Sequence, residues 1–207
     1  MAALPRSRVQ VAPVFYEPGV DYFGPVNVRL GGPRSQTIVK TYGVVFVCMA
    51  TRSVHLELAE DLSTRGFLDV FDRFVNRRGV CRVMYSDNGT QFVGASRQMK
   101  EDLVQWRCQE AHQHVADCGT EWRFITPAAP FHGGLWEAAV RSLKKHLVKV
   151  VGVQTLTYNQ LSTLLVRIEG IMNSRPVIAL HDDVESGMAL TPAHFLVGRP
   201  IISRPED

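Results

Sequence analysis

Tyr42-Gly43-Val44-Val45-Phe46-Val47-Cys48-Met49 is an uninterrupted apolar run. A run this short, rich in β-branched and aromatic residues, reads as a strand covered on both faces. Upstream, Gly19 to Leu30 (GVDYFGPVNVRL) places Val20, Tyr22, Val26 and Val28 on alternate positions, the period of a strand, with Asp21 near its start. Gly31-Gly32-Pro33-Arg34-Ser35 is a turn cluster between the two. Downstream, Thr51-Arg52-Ser53 can turn the chain into a third strand, Val54 to Leu58, completing an antiparallel meander.

After the meander, Ser63 offers a helix N-cap. Phe67, Leu68, Phe71, Phe74 and Val75 follow at helical spacing, and Gly79 closes the segment. That spacing makes the phenylalanines core residues rather than a base-stacking platform. Val80 to Tyr85 is another short buried strand, delivering the chain into Ser86-Asp87-Asn88-Gly89-Thr90-Gln91-Phe92. Residues 94–118 read as a polar helix, and Glu121 to Ile125 as a last short strand before a loop at 127–134. Thr157-Tyr158-Asn159-Gln160 matches a capping box. The helix it opens runs to about Met172, with Leu161, Leu164, Leu165, Ile168 and Ile171 on its apolar side, and Asn173-Ser174-Arg175-Pro176 stops it. Beyond that, Thr191-Pro192 can start a helix in what is otherwise loop.

The order is three strands, helix, strand, helix, strand, helix, helix. It predicts an α/β fold of the ribonuclease H type: a five-stranded mixed sheet, three strands of it the meander, with helices on both faces. The expected organisation is an extended lead-in at 1–11, one core at 12–200 with an extra helical insert near 97–120 and a C-terminal helix and loop region at 157–200, and a tail at 201–207.

Composition sets outer limits. The chain has 207 residues, 45% of them hydrophobic, enough for one sizeable core. A formal net charge of +3 permits a nucleic-acid partner without demanding one. No apolar run approaches a membrane span, and Met1 to Gln10 lacks a signal peptide's apolar stretch, so a soluble intracellular protein with reduced cysteines is expected. Cys48 and Cys81 lie in apolar runs where a free cysteine packs as a small hydrophobe.

The stretch from Ala129 to His146 (APFHGGLWEAAVRSLKKH) reads as a glycine-hinged loop entering an amphipathic helix. Trp136, Ala139, Val140, Leu143, Leu147 and Val150 would share an apolar face, and Glu137, Arg141, Lys144 and Lys145 the opposite one. On any solvated helix, acid early and base late also suits the helix dipole. Position is what gives Glu137 weight. In the predicted sheet the first and fourth strands lie side by side, putting Asp21 beside Asp87, and the helix bearing Glu137 packs at the same edge. Asp87-Asn88-Gly89 is a good turn whatever the function, and Asp21 beside Gly19 and Gly24 could serve a turn as well. Three acids from three elements converging on one point are harder to explain structurally. Such a cluster is costly without a cation, and its hard oxygens suit Mg²⁺ or Mn²⁺. Two such ions can drive in-line displacement at a phosphodiester with no side-chain nucleophile.

Asp21-Tyr22-Phe23-Gly24-Pro25, Ser86-Asp87-Asn88-Gly89-Thr90-Gln91-Phe92 and Pro130-Phe131-His132-Gly133-Gly134-Leu135-Trp136-Glu137 together resemble the catalytic core of a retroviral-type integrase, most closely those of BEL/Pao LTR retrotransposons. Thr51 to Leu58, Asp61 to Thr64, Asn173 to Pro176 and Leu190 to Pro200 resemble the same group, so the likeness runs from about residue 12 to 200. It implies a catalytic, metal-binding triad of Asp21, Asp87 and Glu137, and two Mg²⁺ or Mn²⁺ ions. It also implies 3′-end processing and strand transfer of element DNA into target DNA. Arg141, Lys144 and Lys145 would hold element-end DNA by its phosphates, a role that basic residues bordering such a site favour on electrostatic grounds. Gly133 and Gly134 would form a mobile active-site loop. A homo-oligomer acting in the nucleus after cytoplasmic passage is implied as well. The interval from Asp87 to Glu137, 137 − 87 = 50 positions, is longer than in retroviral integrases, with the excess near 97–120. With no zinc-binding domain upstream and no full DNA-binding domain after Asp207, the chain is expected to be a fragment or a host-retained remnant.

Cys108, His112, His114 and Cys118 invite a zinc reading. On one helix, however, His114 and Cys118 lie well round from Cys108 and His112, so a solvated polar helix without structural zinc is expected. His55 and His132 are expected to be structural or incidental. Two other functions compete with strand transfer. One is a hydrolytic nuclease of the same fold, and the other a catalytically silent nucleic-acid-binding remnant.

Overall fold

The computed structural model describes residues 6–31, 36–108, 119–124, 130–152, 154–179 and 189–201. Its elements are α1 (Arg6–Val9), β1 (Pro18–Arg29), β2 (Ile38–Cys48), β3 (Val54–Ala59), α2 (Thr64–Arg78), β4 (Val83–Ser86), α3 (Thr90–Cys108), β5 (Glu121–Phe124), α4 (Pro130–Val151), α5 (Tyr158–Asn173), β6 (Ile178–Ala179), β7 (Ala189–Leu190) and α6 (Pro192–Val197). Strands β1 to β5 form one sheet in the order β3-β2-β1-β4-β5. The meander is antiparallel, while β4 and β5 join parallel to β1. This is the predicted ribonuclease H-like α/β arrangement.

The central run explains the layering. Val45 and Val47 point to the face covered by α4 and α5, where they meet Trp136, Leu143, Leu161, Leu165 and Ile168. Val44 and Phe46 point to the other face, against Phe67, Val70 and Phe74 of α2 and Phe92 of α3. A strand clad on both sides has no polar face to show, and each fully buried side chain of this size contributes roughly 1.5–3 kcal/mol. The phenylalanines of α2 pack as expected: Phe46 and Phe74 stack with centroids 4.1 Å apart. Cys48 and Cys81 are free and buried, and burial pushes the Cys81 thiol up to about 11.

Helix ends follow their caps. Ser63 Oγ accepts from Gly66 N at 3.0 Å, and Gly79 ends α2 at φ 89°, where glycine is unstrained. Thr157 and Gln160 form the predicted capping box.

Several boundaries depart from expectation. Arg6–Val9 makes one helical turn inside the lead-in, with Pro5, a residue favoured at helix starts, just before it in the sequence. Strand β2 starts at Ile38, because Ile38 to Thr41 continue pairing with β1. Strand β4 starts only at Val83, because the amides of Arg82 and Val83 are turned to Tyr16 O. The region after Pro176 is not all loop, since Ile178 pairs with Leu190. Ile171 is 44% exposed at the margin of the α5 stripe, and Met172 is buried in its stead. Val150 is 62% exposed, while Val151, one turn on from Leu147, packs on the core.

Strand β3 is an edge of the sheet, and unpaired strand edges invite association with other chains. Here side chains cap it. Asn173 Oδ1 accepts from Val54 N and its Nδ2 donates to Val54 O, both at 2.8 Å. Glu169 accepts from Leu56 N at 2.8 Å, and Arg73 donates to Leu58 O at 2.7 Å. Around these bonds lies a charge network, its carboxylates and His55 buried or nearly so and its arginines partly exposed. Glu57 pairs with Arg73 and Arg77, Glu169 with Arg78, and His55 Nε2 lies 3.2 Å from Glu57. Burial lowers the affinity of His55 for a proton, but the Glu169 and Glu57 carboxylates outweigh it and hold its pKa above the ordinary value. His55 is therefore structural, as expected of it.

Candidate active site

Asp21 lies on β1, the middle strand, partly buried on the face that α4 covers. Its Oδ1 accepts the amide of Tyr22 at 2.7 Å. The parallel register of β1 with β4 pairs Gly19 with Tyr85. Two residues further along each chain come Asp21 and Asp87, so the two acids leave neighbouring strands at matching positions. Asp87 is exposed, just past the carboxyl end of β4. Its turn is fixed from both sides. Gly89 N donates to Asp87 Oδ1 at 2.9 Å, while Ser86 Oγ donates to Asp87 O and accepts from Trp122 Nε1, each at 2.8 Å.

The helix of Glu137 is seated on β1 by the neighbouring residue. Trp136 is buried, and its ring lies so close to Gly19 that a Cβ there would stand 2.1 Å from Cε3. This anchors α4 across β1 two residues before Asp21 and leaves Glu137 exposed on the next step of the helix. The carboxyl of Asp21 is pushed up to about 6. Burial is the largest cause, the Tyr22 N–H bond opposes it, the charges of Asp87 and then Glu137 add to it, and Lys144 offsets part. Asp21 thus stands within electrostatic range of both other acids and of Lys144. Among the described residues, however, no three His, Cys, Asp or Glu side chains are gathered closely enough to hold a metal ion. Mutual repulsion opposes a tighter cluster. The donor set itself, carboxylate oxygens only, fits a hard divalent cation.

Arg141 and Lys145 are exposed on α4 with Lys144. Gly133 and Gly134 do not lie in a loop. Helix α4 begins at Pro130, a residue suited to a first helical position, and both glycines fall inside its first turns. Each costs about 1 kcal/mol relative to alanine there, so this is the weakest part of the helix. Cys108 is the last described residue of α3, and His112, His114 and Cys118 lie outside the described residues. The Trp136–Gly19 contact and the Trp122–Ser86 bond, which position Glu137 and Asp87, left no signal in the sequence beyond an aromatic on an apolar face.

An open mixed sheet in the order β3-β2-β1-β4-β5 with helices on both faces defines the class as an α/β fold of the ribonuclease H type. The chain matches a chain of the simian T-cell lymphotropic virus intasome in complex with PP2A regulatory subunit B56 gamma, solved by electron cryomicroscopy, with a TM-score of 0.58 and 15% identity. All of this chain is covered, and it spans 63% of the length of that chain. At this identity the likeness is one of fold. No family model and no curated protein matches the sequence.

Proposed function

We propose that this chain is the catalytic core of an LTR-retrotransposon integrase of BEL/Pao type, which processes 3′ ends of element DNA and joins them to target DNA. The observation that supports the reading is the register that takes Asp21 and Asp87 off neighbouring strands at matching positions, with the helix of Glu137 seated through Trp136 on Gly19 of the same strand. Asp21, Asp87 and Glu137 would hold Mg²⁺ or Mn²⁺, which supply activation of a water or 3′-hydroxyl and stabilisation of the leaving oxygen. Asp21 is held by the Tyr22 amide and would bind as the carboxylate, a form that a neighbouring cation favours. Lys144, Arg141 and Lys145, all exposed on α4, would grip phosphates and so set the position of the DNA end. The substrate places the activity in the nucleus, and two DNA ends call for a homo-oligomer.

A branched oligonucleotide that mimics the joined product tests this in Mn²⁺, because the reverse reaction asks least of an isolated core. Splicing by the wild type and none by Glu137→Gln is expected. Cleavage without splicing would favour a hydrolytic nuclease of the same fold. DNA binding with neither reaction would favour a silent nucleic-acid-binding remnant.

A further inference from the structure

A cavity of about 700 Å³ opens between α4 and the C-terminal end of α5, within the roughly 300–1,000 Å³ usual for ligand sites. Its walls include Leu135, Ala138 and Ala139 of α4 and Ile171 and Met172 of α5, and its rim carries Arg52 and Arg175. At about 100° per residue, Leu135, Ala138, Ala139, Ser142 and His146 share a stripe well round α4 from Glu137, Arg141 and Lys144. The cavity therefore belongs to a different face from the acids.

Its charge is one-sided. Among the described residues, Arg52, Arg175 and His146 are the only titratable groups that line it, and no carboxylate does. Neither arginine has an ion pair among the described residues. Arg175 instead donates to Met172 O and, at 2.6 Å, to Arg52 O. Burial, with the charge of Arg52 adding to it, disfavours the charged form of Arg175. Arg52 also sits at φ 59°, left-handed backbone that glycine would adopt without strain. The β2–β3 turn thus holds a strained arginine beside a second, partly buried arginine, over an apolar hollow. Strain of this kind tends to mark functional positions. A polyphosphate chain would satisfy the cations but leave the apolar walls wet.

We propose that this cavity is a docking site for a protein segment carrying an apolar side chain next to a carboxylate, the apolar group seated between α4 and α5 and the carboxylate between Arg52 and Arg175.

Methyl and amide NMR of the full chain, titrated with 1-naphthylacetate as probe, tests it. Saturable shifts at Ala139 and Ile171 are expected, with 1-naphthylacetamide at least about tenfold weaker because it lacks the charge. Arg52→Gly should weaken naphthylacetate about tenfold while keeping or raising the thermal midpoint, since glycine fits the turn. That variant carries the test, because Arg175→Ala also removes backbone bonds and so disturbs the fold. Equal binding of acid and amide, no saturable shift, or unchanged binding in Arg52→Gly would each overturn the proposal. So would inorganic phosphate or a short DNA duplex shifting the same methyls more strongly, which would make the face a nucleic-acid site.

Discussion

The indole of Trp136 fills the space in which any side chain on Gly19 would have to lie, at 2.1 Å from the position of a Cβ. One aromatic ring on bare backbone thereby fixes the helix of Glu137 against the strand of Asp21. Gly19→Ala should force that ring aside at a cost of about 1–3 kcal/mol. Urea unfolding followed by tryptophan emission checks it. Trp136→Ala should cost about 3–5 kcal/mol, as a large ring lost from a core, and metal-dependent splicing should fall in both variants.

Asp21 gives the fold a pH dependence whose sign is fixed. Its carboxyl titrates at 3.8 unperturbed and at about 6 in the fold. The fold therefore prefers the protonated form, and that stabilisation is complete below the lower value and lost as pH rises through the upper one. Asp21→Asn, which never ionises, should match the wild type below about pH 4 and exceed it by about 1–2 kcal/mol above about pH 7, allowing for solvent screening. Unfolding free energies of the two proteins across that range check it, and parallel curves would contradict it.

Asn173 closes the β3 edge through both polar atoms of its side chain. Asn173→Leu leaves Val54 N and O without those partners, which should cost about 2–5 kcal/mol. Hydrogen exchange at the Val54 amide should quicken, and the exposed edge should promote self-association, visible by light scattering.

The buried His55 network works on the alkaline side. With its folded pKa above the unfolded value, His55 contributes stability that is present below about pH 6.5 and lost as pH rises through the folded value. The wild type should lose stability as pH rises above about 6.5 more steeply than His55→Gln. Equal slopes in urea unfolding would show that the imidazole does not charge.

The sheet was legible because its strands carry their burial in their composition. The Tyr42–Met49 run could only be a strand clad on both faces, and the Ser63 and Thr157 caps marked their helices within a residue. Asp21 and Asp87 were legible on neighbouring strands because the strand order puts β1 beside β4, while the register that matches them, Gly19 with Tyr85, is seen in the structure. The start of α4 was not. Two glycines read as a hinge, but Pro130 can open a helix that tolerates both near its end. The pairing of Thr51–Leu58 with Asn173–Pro176 was invisible for another reason. The first read as a turn and strand and the second as a helix stop, and the contacts between them, Asn173 to Val54 and Arg175 to Arg52 O, run from side chains to backbone. Such bonds leave no periodicity to read.

The central claim is that Asp21, Asp87 and Glu137 act together on a divalent cation, and paramagnetic broadening by Mn²⁺ tests it most directly. Amides flanking all three acids should broaden together at one saturable Mn²⁺ concentration, and Asp21→Asn, Asp87→Asn or Glu137→Gln should each weaken that binding at least about tenfold. Broadening around one acid alone, or an unchanged response in any of the three variants, would contradict the account.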